Sequence, residues 1–173
     1  ETEVLMIKPD YQAYYNMGNA LQEQGKLDEA IEAYKKALKI NPALYKTHNN
    51  IGNALKEQGK PDKAVEAYNT AITINPDFAE AHNNLGVVLH DQDKQKEALT
   101  AYRKALAIKP DFAEAYNNMG LTLKTQTKLE KAVKALRKAI KINPNHYGAY
   151  NNMGIVLQEQ GKIDQALQAY NKA

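Results

Sequence analysis

AEAHNNLGVVLHDQDKQKEALTAYRKALAIKPDF, residues 79–112, decides the reading of this chain, because nearly every other segment is a variation on it. Gly86 returns as Gly18, Gly52, Gly120 and Gly154, each step being 34 residues. Ala98 returns at the same step as Ala30, Ala64, Ala132 and Ala166, and Pro110 as Pro42, Pro76 and Pro144. A fixed period of this length marks a stack of supersecondary units, each burying its apolar face against the next.

Within the unit two helices are predicted. Ala81, His82, Leu85, Val88 and Leu89 form one stripe at helical spacing over residues 79–92, and Ala98, Leu99, Tyr102, Ala105 and Leu106 form another over 96–108. Between them most copies carry a glycine (Gly25, Gly59, Gly161), which ends a helix in the left-handed conformation without a Cβ clash. Asp93 and Thr127 stand at that position in the other two. Thr127 is β-branched, so a strained or differently built turn is expected there. Pro110 ends the second helix, since it lacks an N–H and would clash with the preceding turn. Pro61 falls where a first helical turn tolerates it. Asp77 with Glu80, and Asp111 with Glu114, predict acidic caps on the helices that follow.

The order of residues in the unit (His82, Leu85, Gly86, Leu89, Ala98, Tyr102, Ala105, Pro110) resembles the tetratricopeptide repeat pattern, and the match spans almost the whole chain. His48 and His82 at the aromatic first position, and Leu136 in place of the usual Tyr, are its main departures. The resemblance implies an all-α fold, an α-solenoid wound as a right-handed superhelix of helix–turn–helix repeats. The repeats run 11–44, 45–78, 79–112, 113–146 and 147–173, the last incomplete. Gly18, Gly52, Gly86, Gly120 and Gly154, with Ala30, Ala64, Ala98, Ala132 and Ala166, are the structural small residues that let facing helices approach closely. Residues 1–10 are expected to be the end of a preceding repeat, with Val4, Leu5, Ile7 and Pro9 matching Ala105, Leu106, Ile108 and Pro110. The chain is thus expected to be a piece of a longer protein, whose apolar ends associate end to end.

Composition narrows the chemistry. The hydrophobic fraction of 43% supplies a continuous core, and the absence of cysteine removes disulfides, thiol catalysis and Cys-based metal sites. No apolar run is long enough to span a membrane and no leader opens the chain, so a cytoplasmic location is expected. No metalloprotease, phosphate-loop or serine-elbow motif occurs, so no catalytic residue, cofactor or metal is assigned. His48 and His82 occupy one repeat position a full layer apart, and are read as packing residues in place of Tyr14, Tyr116 and Tyr150. The net charge of +3 is local: residues 113–146 hold seven basic and two acidic groups, while the other four repeats each sum to zero. Lys131, Lys134, Lys138 and Lys141 follow helical spacing there, as a solvated face or a docking patch for an acidic partner. Nucleic acid is disfavoured, because no aromatic residues interleave on that face.

The most informative feature is an asparagine doublet before each glycine: Asn49–Asn50, Asn83–Asn84, Asn117–Asn118 and Asn151–Asn152, with Tyr15–Asn16 in the first repeat. Asn is a mediocre helix former, and nine such placements cost roughly 5 kcal/mol relative to Ala. In the family this position faces the concave groove, so Asn16, Asn50, Asn84, Asn118 and Asn152 are expected to form a ladder along it. An amide offers both a donor and an acceptor, matching the peptide unit of an extended chain. The arrangement resembles the ladder of O-linked N-acetylglucosamine transferases. Tyr15, Asn49, Asn83, Asn117 and Asn151 are expected beside this ladder as groove residues, and Asn19 and Asn53 continue the polar groove, which becomes apolar at Val87, Leu121 and Ile155. The carboxylate clamp of chaperone-binding relatives requires a Lys before that Asn, and none is present. The expectation is a non-catalytic scaffold binding a protein or peptide in the groove. Its rivals are a substrate-selecting arm of a larger transferase and a structural or self-assembling spacer.

Overall fold

The structure, a computed structural model, describes residues 10–173. The end of a preceding repeat expected over the first residues, with Val4, Leu5, Ile7 and Pro9, falls outside the described residues. Ten α-helices and no strand occur among the described residues: α1 (Tyr11–Glu23), α2 (Leu27–Ile40), α3 (Tyr45–Glu57), α4 (Pro61–Ile74), α5 (Ala79–Asp91), α6 (Gln95–Ile108), α7 (Ala113–Thr125), α8 (Leu129–Ile142), α9 (Tyr147–Glu159) and α10 (Ile163–Tyr170). They pair as hairpins, α1 with α2 through α9 with α10, two helices to each period. The chain divides into two compact units, one ending at Pro76 and the other running from Asp77 to Ala173. In the first, α3 packs on α1 and α2; in the second, α7 packs on α5 and α6, and α9 on α7 and α8.

The five turns inside hairpins are one motif. After α1 the Gly25 N–H bonds to the Gln22 carbonyl and the Lys26 N–H to the Leu21 carbonyl, both at 2.9 Å, the paired closure of a left-handed helix stop. Asp93 and Thr127 close their turns with the same two bonds, at φ of 60° and 56° against 72° for Gly25. Thr127 therefore does not build a different turn: it adopts the glycine conformation at a steric cost. The second helices end where predicted. Asn41, Asn75 and Asn143, each preceding a proline, are extended, as the proline ring demands of its predecessor, and Lys109 before Pro110 lies close to them at φ −128° and ψ 88°.

The acidic cap expected at Asp111 is not formed. α5 and α7 begin after Phe78 and Phe112, and neither has a side-chain cap. Asp77 and Asp111 sit one residue too early, in the turn left by the proline. Side-chain caps occur instead at α1, where Asp10 accepts from the Gln12 N–H, and at α9, where His146 accepts from the Ala149 N–H. Pro61 opens α4 as expected.

The repeated small residues are explained by one aromatic contact. A Cβ added at Gly18, Gly52, Gly86 or Gly154 would lie 2.4–2.6 Å from Cε1 of Tyr34, Tyr68, Tyr102 or Tyr170 respectively. The ring from the second helix packs against the bare backbone of the first, and a side chain there would displace it. In the fourth repeat Leu136 replaces the ring and still reaches within 2.7 Å of such a Cβ at Gly120. Ala30, Ala64, Ala98, Ala132 and Ala166 are buried beside these contacts. Leu136, Val156 and Leu123 anchor the apolar cluster of the second unit.

Candidate functional site

The doublet asparagines lie on first helices, and the two members of each pair are treated differently. Asn49, Asn83 and Asn117 are buried, whereas Asn50, Asn84, Asn118 and Asn152 are half-buried and Asn16 and Asn151 exposed. Adjacent residues on a helix point about 100° apart. Asn83 and Asn117 therefore turn toward the next repeat, and Asn118 and Asn152 toward the edge of their own.

The amides join across repeats. Asn118 Nδ2 donates to Asn83 Oδ1 at 3.1 Å, and Asn152 Nδ2 donates to Asn117 Oδ1 at 2.9 Å. Both bonds run from one residue to that one period plus one position earlier. In the first unit Asn50 Nδ2 donates to Asn19 Oδ1 at 2.9 Å and lies 3.4 Å from the Tyr15 hydroxyl. Asn83 and Asn117 also direct their Nδ2 groups at Asn84 Oδ1 and Asn118 Oδ1, at 3.4 and 3.5 Å. The helical cost of Asn is thus offset by a zipper of amides at the repeat interfaces, where a charged or apolar residue would leave buried partners unmatched.

The expected groove residues differ in burial. Asn49, Asn83 and Asn117 are buried, and Asn83 and Asn117 each accept from the second asparagine of the next repeat. Asn19 and Asn53 likewise serve the hairpin: Asn19 Oδ1 accepts from the Tyr34 hydroxyl at 2.9 Å and Asn53 Oδ1 from Tyr68 at 2.8 Å. Tyr15 packs on Tyr34, ring centroids 6.2 Å apart. Burial pushes the Tyr34 phenol up to about 12, against the opposing hydrogen bond from Asn50, and drives Tyr68 and Tyr102 further above the ordinary range. Asn151 is exposed, and Asn16 accepts from Gln12 of its own helix at 3.1 Å. Asn118 and Asn152, half-buried at a partly open surface, each keep one N–H and one lone pair beyond these bonds, whereas Asn50 directs its amide nitrogen at both Asn19 and Tyr15.

The four histidines each occupy a different setting. His82 is buried as a packing residue, and His48 places Nε2 3.2 Å from the Pro42 carbonyl. His90 Nδ1 lies 3.0 Å from the Thr122 hydroxyl and 2.9 Å from Gln95 Oε1, tying α5 to α7. His146 pairs with Glu114 at 3.0 Å. No group of three or more acidic or histidine side chains close enough to hold a metal occurs among the described residues. Nor is any described helix long and apolar enough to cross a membrane.

The family follows from sequence models as well as from shape. One described as TPR repeat matches residues 18–59, 52–93 and 88–127, and one described as tetratricopeptide repeat matches residues 111–173. The chain belongs to the tetratricopeptide repeat family. Among curated proteins no sequence matches it. Solved structures resemble it over nearly its full length. A crystal structure of MamA superposes with a TM-score of 0.78 at 30% identity, covering 90% of this chain and 91% of its own. PilF of Pseudomonas aeruginosa gives 0.87 at 24% identity, covering 94% of this chain and 74% of its own. YrrB, a TPR protein with an unusual peptide-binding site, gives 0.71 at 23% identity, covering 94% and 84%. The tetratricopeptide fold is therefore common ground, and it generally serves as a scaffold for protein–protein interaction.

Proposed function

We propose that this chain is a non-catalytic interaction scaffold that grips the backbone of an extended peptide through the second asparagine of its doublets. Asn84, Asn118 and Asn152 do so in the second unit and Asn50, with the exposed Asn16, in the first. One observation carries the reading. Asn118 and Asn152 each spend one N–H on the preceding repeat, while a primary amide has two N–H groups and two lone pairs. Held from behind and half-exposed, each has a donor and an acceptor to spare, and its orientation is already fixed, which reduces the entropy lost on binding. Amides that read peptide units rather than side chains favour breadth over sequence specificity. The peptide-binding site of YrrB, which shares the fold, is consistent with this use. The likeness to the ladder of O-linked N-acetylglucosamine transferases rests on the doublets alone.

Replacing these asparagines would also unlock the zipper, so the test alters the ligand instead. A binder selected from a library of random linear peptides is resynthesised with single backbone N-methyl groups. Each methyl that removes a peptide N–H facing an Asn should weaken binding by about 1 kcal/mol in calorimetry, with protein stability untouched. An affinity that ignores every N-methylation and follows only the peptide's side chains would overturn the proposal.

A further inference from the structure

A second recognition surface lies on the second helices, away from the doublets. Between α6 and α8, floored by α7, there is a cleft of about 240 Å³. Leu99, Met119 and Leu123 form its apolar base, and Arg103, Lys131, Lys134 and Lys138 stand around it with no acidic residue in the lining. Lys138 Nζ lies 5.1 Å from the Tyr116 ring centroid. Among the described residues, no ion pair or side-chain hydrogen bond engages Arg103, Lys131, Lys134 or Lys138. Lys141, the fourth member of the sequence stripe, is exposed but stands outside the cleft.

The first unit supplies a control. The equivalent cleft among α2, α3 and α4 keeps the apolar base, with Ile31, Ile51 and Leu55 matching Leu99, Met119 and Leu123 two periods later. Its rim is balanced: Lys35, Lys60 and Lys63 face Asp28, Glu32 and Glu66. At matched positions Glu66 becomes Lys134 and Thr70 becomes Lys138, while Lys35 and Lys63 become Arg103 and Lys131. The fold thus accepts a neutral rim at this site, and four uncompensated cations are not needed to build it. Clustering them raises the free energy of the empty cleft, which an anion would relieve.

We propose that this cleft docks an acidic segment of a partner protein, with one apolar side chain of that segment on the Leu99–Met119–Leu123 base and flanking carboxylates on Arg103, Lys131 and Lys134. The volume lies below the roughly 300–1,000 Å³ of pockets that enclose whole small molecules, and suits a single large side chain. An apolar base argues for peptide over nucleic acid, which would require aromatic platforms for its bases; here Tyr116 already carries Lys138.

The probe is a fluorescein-labelled peptide of aspartate and glutamate around one central leucine, followed by anisotropy on the full chain. Carbon-13-labelled methionine methyls report the site. Saturable binding that shifts the Met119 methyl, but not those of Met17 and Met153, is expected. The double variant Lys134→Glu/Lys138→Thr restores the residues the first unit already holds, so its fold is safe, and it should weaken binding by about tenfold or more. Serine in place of the central leucine should weaken it by about fivefold or more. Absence of binding, binding that leaves Met119 unshifted, or affinity indifferent to the double variant would each overturn the proposal. A single-stranded oligonucleotide or an anionic lipid vesicle binding more tightly than the peptide, and losing affinity in the same variant, would overturn the peptide assignment.

Discussion

Gly86→Ala isolates the glycine–tyrosine contact that closes four of the five hairpins. A methyl at residue 86 would lie 2.6 Å from Cε1 and 2.8 Å from Cδ1 of Tyr102, whereas carbon atoms settle at about 3.5–4.0 Å. The ring must retreat by roughly 1 Å, yet Tyr102 is 1% exposed and has nowhere to go. Overpacking of this kind costs about 1–3 kcal/mol. Against it stands the helix preference of Ala over Gly, about 1 kcal/mol in an interior position. The net loss expected is about 1 kcal/mol, read as a lower urea midpoint by circular dichroism. The sign should reverse once the ring is gone. In a Tyr102→Ala background the methyl meets no ring, so Gly86→Ala should stabilise by about 1 kcal/mol, a coupling of about 2 kcal/mol between the two positions. Since repeat arrays can unfold in parts, hydrogen exchange of α5 and α6 should give the same two signs locally. Equal destabilisation in both backgrounds would show that the tyrosine is not the reason for the glycine.

Three further outcomes are expected. Thr127→Gly should raise stability by about 1 kcal/mol, because it relieves a β-branched residue held at φ 56°; an unchanged or lowered urea midpoint would show that the turn carries no strain. Thr47 is buried, its hydroxyl lacks a partner among the described residues, and other repeats hold Ala at that place (Ala81, Ala115, Ala149). Thr47→Ala should therefore stabilise by about 1 kcal/mol in thermal unfolding, and a loss would mean that its methyl packing outweighs the orphan hydroxyl. Tyr34 titrates near 12 in the fold and near 10 when unfolded. Across that interval the unfolded state binds fewer protons, so stability should fall as pH rises through it and be fully present below it. Tyr34→Phe should flatten the fall in melting temperature over that range, and an identical slope would refute the linkage.

How far the sequence reached depends on whether a feature is periodic. Helix positions, hairpin pairing and the proline stops follow from apolar spacing and backbone covalent geometry, which act over a few residues and leave a direct trace in the chain. The left-handed turn is legible through Gly25, Gly59 and Gly161, and Thr127 shows the hydrogen-bonded closure imposing that turn on a residue ill suited to it. The acidic cap at Asp111 failed because a helix start depends on where the proline turn delivers the chain, a matter of one residue that pattern alone does not resolve. The doublets marked a special place, but bonds from a second Asn back to a first one, one period plus one position earlier, were not anticipated. Which amide is buried, which bonds and which stays open was settled only when neighbouring first helices packed, since two residues adjacent in sequence diverge by about 100° around a helix. The same holds for the lysines of α8. Their spacing predicted a charged stripe, but the apolar base beneath Lys131 and Lys134 comes from α6 and α7, and no local signal records what lies across a helix interface.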